Sequence, residues 1–326
     1  MFKIHIMQLF SFLKISTQTS SFNSYRTTTP HIMSTTTQVQ LSDGAKLHVW
    51  LLGSKNKTKP LVIVLHGAPG LSSHTSTESA YKFLAEKFRV LVYDARGSGV
   101  SDVKGPFTDE RWIADVDELR AWVGAETFIL AGYSYGGFLA LSYSLAFPNH
   151  LAGLILQNTW ACGPLGTHRV LASLLTSNRI KPDPARQARL WSGNVRDKED
   201  AEKGLAEIIA IYTPEKDEQS SEPPSFDSFE STGGESHLHW EVHNAAFSFS
   251  QPRFDVRNRL GEIKTPTLVV VGSHDVVCPL EEAKDISRGI SNSELVVFDH
   301  SGHNPAADEP EKFQKVVYGF LEKLGY

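Results

Sequence analysis

Short apolar runs recur along the chain from Val39 and predict the strands of a buried sheet. The most continuous run covers residues 60–66 (PLVIVLH), and such a stretch is typical of a strand that is covered on both faces of a parallel sheet. Six further strands are predicted at residues 46–52, 89–93, 127–131, 153–157, 266–271 and 294–298.

Helical patterns lie between these strands. One has Thr108 at its predicted N-cap, and its apolar residues recur at helical spacing on one face: Trp112, Val116, Leu119 and Val123. Another covers residues 310–324 near the end of the chain, with one apolar face formed by Phe313, Val317, Phe320 and Leu321. The alternation of strands and helices predicts an α/β fold, a mostly parallel sheet between two layers of helices.

Residues 160–257 interrupt this alternation. They contain helical stretches, such as residues 201–212, but no apolar run typical of a buried strand. We interpret them as a mainly helical cap inserted over the carboxyl ends of the strands, where open α/β sheets bind ligands. Within the cap, residues 214–235 are acidic and rich in Ser and Pro, which predicts a mobile loop. The core is then formed by residues 37–159 and 258–326.

The first 36 residues are predicted to lie outside the fold and to be poorly ordered. Residues 1–42 contain no Asp or Glu and are dense in Ser and Thr, a composition that resembles a mitochondrial transit peptide. Alternatively, translation starts at Met33 and the protein is cytoplasmic, which is the location that we expect.

Charge and cysteine content narrow the range of functions. The formal net charge is −5, and no clustered basic face indicates a nucleic-acid partner. No window approaches 18 consecutive apolar residues, so no integral membrane segment is predicted. Two cysteines, Cys162 and Cys278, form neither a disulfide framework nor a metal-binding spacing, and we predict neither a metal nor a cofactor. The expected partner is a small molecule or a short peptide; the oligomeric state is left open.

The strongest chemical signal is the sequence Gly-Tyr-Ser-Tyr-Gly at residues 132–136. It follows a predicted strand directly and precedes a helical run, which is the context of a nucleophile elbow. In such an elbow Gly132 and Gly136 let the backbone pass closely, and the turn projects the hydroxyl of Ser134 above the sheet. Ser134 is therefore the predicted nucleophile.

A serine hydroxyl needs a base, and here two further residues follow in the order acid, then histidine. Asp275 and His303 each follow a predicted strand through a short loop, so they should emerge at the same sheet edge as Ser134. Alternatives exist: Asp299 as the acid, and His300 or His274 as the base. Cys278 lies near Asp275 in the sequence but has no elbow context, and we interpret it as a packing thiol.

An oxyanion hole is predicted beside the serine. One backbone N–H donor would come from Tyr135, the residue after the nucleophile. The other would come from Ala68 in the loop His-Gly-Ala-Pro-Gly at residues 66–70, which follows the central strand. In that loop His66 and Gly67 are predicted to support the position of Ala68.

Five stretches together resemble the proline iminopeptidase branch of the α/β-hydrolases, serine peptidase family S33. They are HGAPG at 66–70, YDARGSGVSD at 93–102, GYSYGG at 132–137, PTLVVVGSHDVVCP at 266–279 and HSGHNPAADEPEKF at 300–313. The resemblance covers about residues 40–326 and is weakest in the cap. It implies the α/β-hydrolase fold with an inserted cap, the triad Ser134, Asp275 and His303, and oxyanion donors at Ala68 and Tyr135.

The sequence departs from this family in two places. Ala68 replaces the middle glycine of the family's His-Gly-Gly-Pro-Gly loop. The peptidases also use acids of the cap to hold the free amine of the substrate; Glu241 is a candidate, and an exposed helix charge is the competing interpretation. Apart from these two positions, the resemblance implies an aminopeptidase that releases an N-terminal residue, proline foremost.

Other functions stay open from the sequence. The first alternative is an esterase, lactonase or amidase acting on a small metabolite, and a remote one is a non-catalytic receptor on this fold. Epoxide hydrolases and dehalogenases need a carboxylate at the elbow, where Ser134 stands. A dinucleotide-binding oxidoreductase is disfavoured because residues 132–137 lack the glycine spacing of that motif.

Overall fold

An eight-stranded sheet forms the centre of the protein in the computed structural model, which describes residues 34–53, 58–214 and 237–326. The strands lie in the order β1-β2-β4-β3-β5-β6-β7-β8. β2 pairs antiparallel with β1 and β4, and the other neighbours pair in parallel. The strands are β1 Ser34–Gln40, β2 Lys46–Gly53, β3 Leu61–Leu65, β4 Arg89–Tyr93, β5 Phe128–Tyr133, β6 Leu151–Gln157, β7 Thr267–Gly272 and β8 Ser293–Phe298.

The seven strands predicted from apolar runs are confirmed, with shifts of one or two residues at their ends. The prediction missed β1, and it placed residues 34–36 outside the fold although they lie in this strand. β1 sits at the edge of the sheet and pairs with β2 alone. Because only Val39 of its side chains is buried, β1 carries no apolar run that a hydrophobicity pattern could detect. Residues 1–33 lie outside the described residues.

Helices cover both faces of the sheet and follow most of its strands. They are α1 His74–Tyr81, α2 Asp109–Val123, α3 Tyr135–Ala146, α4 Gly163–Thr176, α5 Pro184–Trp191, α6 Lys198–Ile208, α7 Trp240–Ala245, α8 Leu280–Gly289, α9 Pro305–Asp308 and α10 Pro310–Lys323. Short 3-10 turns follow several of them, and a π-helical turn, Ala246–Ser250, continues α7. No described helix is both long and apolar enough to span a bilayer.

The predicted faces of two helices are confirmed. In α2 the side chain of Thr108 accepts a hydrogen bond from the Arg111 N–H, and Gly124 ends the helix in the left-handed conformation. The apolar face of α2 is buried against one side of the sheet. The apolar face of α10 is buried on the other side. Two hydrophobic layers therefore enclose the sheet, and the edge at the carboxyl ends of its parallel strands is where the candidate site lies.

The described part of the segment between β6 and β7 consists mainly of helices joined by short irregular stretches. It contains α4 to α7 and their short turns, and its two ends meet in a narrow neck. In the neck the Gly163 N–H donates to the Phe254 carbonyl at 2.8 Å, and the Val256 N–H donates to the Ala161 carbonyl at 2.9 Å. The neck lies just inside the predicted cap boundaries, 160 and 257. The loop predicted at residues 214–235 lies, apart from Pro214, outside the described residues.

Candidate active site

Ser134 stands on the turn between β5 and α3 in a backbone conformation that is rare for a non-glycine residue. Its φ is 54° and its ψ is −120°, and such strain is held only where the surroundings fix it. The Ser134 N–H donates to the carbonyl of Gln157 at 3.0 Å, and the Thr159 hydroxyl donates to the Ser134 carbonyl at 2.8 Å. The end of β6 therefore holds the turn, and Ser134 remains half-buried.

The glycines of the motif are required by close packing. A Cβ on Gly132 would lie closer than 3.0 Å to the carbonyl of Gly136, and one on Gly136 would collide with the carbonyl of Leu65. The turn between β5 and α3 can therefore be this sharp only when both positions lack a side chain.

Asp275 and His303 meet at the predicted edge of the sheet. Asp275 follows β7 and His303 follows β8, and His303 Nδ1 lies 2.8 Å from Asp275 Oδ2. Both side chains are buried. Because the carboxylate can only accept, Nδ1 of His303 is the donor in this contact, and in the neutral tautomer Nε2 is the acceptor. The imidazole thus has the tautomer that a general base needs.

Four N–H donors surround the carboxylate of Asp275. Its Oδ1 accepts from the backbone N–H groups of Val277, at 2.8 Å, and Cys278, at 2.9 Å. Its Oδ2 accepts from His303 and, at 2.6 Å, from the side-chain amide of Asn158. This number of donors stabilises the charged carboxylate and fixes its orientation.

Asn158 was not identified in the sequence. It follows β6, is completely buried and has a positive φ of 47°. Its amide donates to Asp275 and also, at 3.2 Å, to the carbonyl of Gly302, the residue before His303. Asn158 therefore joins the loop that carries the acid to the loop that carries the histidine. A lone asparagine after a strand matches no motif, and only its position at the sheet edge could have drawn attention to it.

The histidine is held from the cap as well as from the core. The backbone N–H of His303 donates to the backbone carbonyl of Tyr212 at 2.7 Å, and the ring centroids of these two residues are 5.0 Å apart. On the core side the ring of Tyr133, which precedes Ser134, lies 5.1 Å from the imidazole. Burial raises the pKa of Tyr133 well above its usual value, so this neighbour stays neutral.

The alternative acid and bases lie elsewhere. Asp299, His300 and His274 are all exposed, and His274 Nε2 lies 3.0 Å from the carbonyl of Asp299. Cys278 is buried, and burial raises the pKa of its thiol well above the usual value. These positions leave His303 as the one candidate base that is paired with a buried carboxylate.

The predicted oxyanion loop lies beside the elbow. A Cβ on Gly67 would lie 3.6 Å from the Ser134 Cβ, so the loop passes at contact distance. In the part of the chain that the structure describes, neither the Ala68 N–H nor the Tyr135 N–H donates to another residue. Two free donors next to a serine hydroxyl match what a developing oxyanion needs.

The buried side chain of His66 holds this loop through two hydrogen-bond contacts. Its Nδ1 lies 3.1 Å from the Gly67 carbonyl, and its Nε2 accepts from the Ala95 N–H at 3.0 Å. Complete burial lowers its pKa to about 4. A neutral imidazole can make both contacts, one as donor and one as acceptor, whereas the charged form could not. His66 thus supports Ala68 structurally.

Glu241, the candidate amine anchor, has an exposed side chain on α7. Two positions further along the same helix, His243 lines an apolar cavity together with Ala68. Glu241 is not among the residues that line this cavity. The proposed contact between Glu241 and a substrate amine gains no support from this placement.

One group of described residues brings together atoms that could bind a metal: Asp275, Cys278 and His303, with ligand atoms within 4.8 Å of one another. Their hydrogen bonding argues against that use. Both oxygens of the Asp275 carboxylate already accept hydrogen bonds. The thiol of Cys278 stays protonated, whereas a metal binds the thiolate. The group fits an acid–base pair with a packing thiol beside it.

Comparison with known proteins identifies the family of the chain. Residues 60–310 match the model of the alpha/beta hydrolase fold family. A proline iminopeptidase of Pestalotiopsis fici, PfmaB, is 30% identical over 86% of this chain and 98% of its own. A proline iminopeptidase of Clostridioides difficile is 27% identical over 85% of this chain and 95% of its own.

The solved structures that are similar to this chain include other hydrolases. A hydrolase from Pseudomonas aeruginosa is 27% identical with a TM-score of 0.63, covering 88% of this chain and 98% of its own. An esterase from Exiguobacterium antarcticum is 25% identical with a TM-score of 0.67, covering 88% and 99%. The eight-stranded sheet, the family match and these relatives lead to one conclusion: the chain belongs to the α/β-hydrolase fold family, in its proline iminopeptidase-like branch.

Proposed function

We propose that this protein is a serine hydrolase that works by acyl transfer, with Ser134 as nucleophile, His303 as general base and Asp275 as the orienting acid. The observation that carries the proposal is the buried pair of Asp275 and His303 at the sheet edge that presents Ser134. The pair leaves an unprotonated imidazole nitrogen for the serine proton, and a receptor would have no use for such a base.

The reaction proceeds in two halves. His303 Nε2 takes the hydroxyl proton of Ser134 as the serine oxygen attacks the substrate carbonyl. The N–H groups of Ala68 and Tyr135 donate to the resulting oxyanion. His303 then gives the proton to the leaving group, whose bond to the carbonyl carbon breaks, and an acyl-enzyme remains. Water, deprotonated by His303, attacks this ester, and the acid product leaves as Ser134 recovers its proton.

Two substrate classes are candidates. The relatives named proline iminopeptidase favour an aminopeptidase that releases an N-terminal residue, proline foremost. An apolar cavity that borders Ala68 favours instead an ester, lactone or amide of a small metabolite. A substrate amine would need a partner in the first case and none in the second.

Labelling with a fluorophosphonate tests the proposed function most directly, because the reagent reacts only with an activated serine. We expect stoichiometric labelling of the wild-type protein and none of Ser134→Ala. Hydrolysis of a proline arylamide and of a short-chain aryl ester is measured in parallel. For whichever compound is cleaved, Ser134→Ala should lower kcat by at least about 10³-fold. Labelling or turnover that survives in this variant would exclude Ser134 as the nucleophile.

A further inference from the structure

A small cavity lies between the predicted oxyanion loop and the helices of the cap. Ala68 borders it on the core side, and Leu190, Leu205, Ile208 and Phe247 border it on the cap side. Tyr212, whose ring packs against His303, also borders the cavity. In the proposed acyl-enzyme the acyl group stays attached to Ser134 with its carbonyl oxygen at Ala68. Ser134 does not itself line the cavity; Ala68 and Tyr212 connect the cavity to the proposed reaction centre.

The described residues that line the cavity carry no formal charge at neutral pH. Two of them can titrate, His243 and Tyr212. His243 Nε2 lies 2.8 Å from the Leu190 carbonyl and so carries the proton, and complete burial lowers the pKa of His243 to about 4. Burial raises the pKa of Tyr212 above its usual value. A charged group placed here without a counter-charge would lose its hydration without compensation.

Two residues that line the cavity each carry a buried polar atom that lacks a hydrogen-bond partner among the described residues. These atoms are the Trp191 Nε1–H, a donor, and His243 Nδ1, an acceptor. Both side chains are more than nine-tenths buried. Neither atom is accessible to solvent, so neither offers a partner to an ammonium group bound in the cavity.

We propose that the cavity receives an uncharged acyl group, so that the preferred substrates are esters or amides of neutral acids and not those of amino acids with a free α-ammonium group. This inference rests on the proposed acyl-transfer function. It departs from the aminopeptidase activity of the named relatives, and it agrees with the exposed position of Glu241. The cap, which supplies most of the lining, is also where the resemblance to those peptidases is weakest.

A matched pair of substrates tests the proposal. The benzyl esters of L-proline and of cyclopentanecarboxylic acid have the same ring size and the same leaving group, and they differ only by an ammonium in place of a methylene. We expect kcat/KM at pH 7 to be at least about 100-fold higher for the cyclopentane ester, because the described lining of the cavity offers the ammonium no charged partner when it is dehydrated. An equal or higher value for the prolyl ester would overturn the inference.

The pH dependence adds a second criterion. The α-amine loses its proton near pH 8, so the preference for the cyclopentane ester should shrink between pH 7 and pH 9. A preference that stays constant over this range would mean that charge is not what the cavity rejects, and it would also overturn the inference.

A substitution in the cavity should reverse the selectivity. Leu205 is half-buried at the edge of the cavity. Leu205→Glu would supply a counter-charge for the ammonium, and we expect it to shift the ratio of kcat/KM values at least about tenfold toward the prolyl ester. Leu205→Gln is the matched control and should leave the ratio unchanged. Equal shifts in both variants would contradict the electrostatic explanation.

Binding to Ser134→Ala separates this inference from the proposed function. Calorimetry compares cyclopentanecarboxamide with L-prolinamide, and neither measurement needs turnover or a folded cavity variant. Tighter binding of cyclopentanecarboxamide supports the cavity proposal even if the protein hydrolyses neither ester. Tighter binding of prolinamide overturns it even if fluorophosphonate labelling has confirmed Ser134 as the nucleophile.

Discussion

The amide of Asn158 donates a hydrogen bond of 2.6 Å to the same oxygen of Asp275 that accepts from His303. The same amide reaches the Gly302 carbonyl at 3.2 Å. One side chain therefore fixes both the carboxylate and the start of the loop that carries the imidazole. Asn158 touches no reacting atom, and its proposed role is that of a positioning residue for the acid–base pair.

Replacing Asn158 should impair the proposed base, His303, without removing the proposed nucleophile, Ser134. A hydrogen bond to a charged group contributes about 1.5–3 kcal/mol, so Asn158→Ala should lower kcat/KM by about 10- to 100-fold. Asn158→Asp should lower it further at neutral pH, because it places a second carboxylate beside Asp275. The pH profile of kcat/KM is the measurement, since an altered acid–base pair moves the inflection that reports on His303. Unchanged profiles in both variants would mean that Asn158 is only a packing residue.

The strained backbone at Ser134 predicts a gain in stability when the side chain is removed altogether. With φ at 54°, a Cβ at this position is disfavoured, whereas glycine adopts the conformation freely. We expect Ser134→Gly to have a free energy of unfolding about 1 kcal/mol higher than that of Ser134→Ala. Denaturant titration of the two variants measures the difference. The opposite order would show that the elbow is relaxed in the protein.

A buried ion pair between Arg96 and Asp115 predicts a large stability effect far from the chemistry. Arg96 Nε lies 2.9 Å from Asp115 Oδ2 and its Nη2 lies 2.8 Å from Oδ1, and both side chains are fully buried. Asp115→Ala should cost up to about 3 kcal/mol, because it leaves the buried guanidinium of Arg96 with its more exposed partner, Asp43, at 2.8 Å. Glu262→Ala, which breaks the exposed pair with Arg259, is the control and should change stability by less than about 1 kcal/mol.

Two buried histidines predict a loss of stability in mild acid. Burial lowers the pKa of His66 and of His243 to about 4, below the usual 6.5. The unfolded chain therefore binds more protons than the folded one between these values, and stability falls as the pH drops from about 6.5 to about 4. Each histidine should contribute about 3 kcal/mol to this loss.

Unfolding free energies of the wild type, His66→Gln and His243→Gln between pH 4 and pH 7.5 test this expectation. Each variant should be less stable than the wild type at pH 7.5, and the gap should narrow toward pH 4. A gap that is the same at every pH would show that the lost contacts, and not protonation, account for the difference.

The sequence was informative where chemistry coincides with a strong hydrophobic pattern. Ser134, Asp275 and His303 each follow a continuous apolar strand, so their common edge could be predicted from the parallel arrangement alone. The faces of α2 and α10 were equally clear because their apolar spacing is regular. In these regions local pattern and final packing agree.

What the sequence could not provide depends on contacts between distant segments. The amide of Asn158 meets Asp275 across 117 positions of the chain, and an asparagine after a strand is usually only a turn residue. β1 lacks an apolar run because it is an edge strand with mostly exposed side chains. The burial of His243 against Leu190 likewise arises from the packing of α7 on α5, and the hydrophobic pattern within either helix does not predict it.

The narrow neck has a consequence for exchanging the segment between β6 and β7 that it bounds. Because the chain leaves and re-enters the core through adjacent residues, Ala161–Gly163 and Phe254–Val256, the insertion resembles an exchangeable cassette. The exchange is not free, since the backbone of His303 depends on a carbonyl at Tyr212 inside that cassette. A segment grafted in its place would have to supply its own acceptor at this point, so that the backbone of His303 keeps its position.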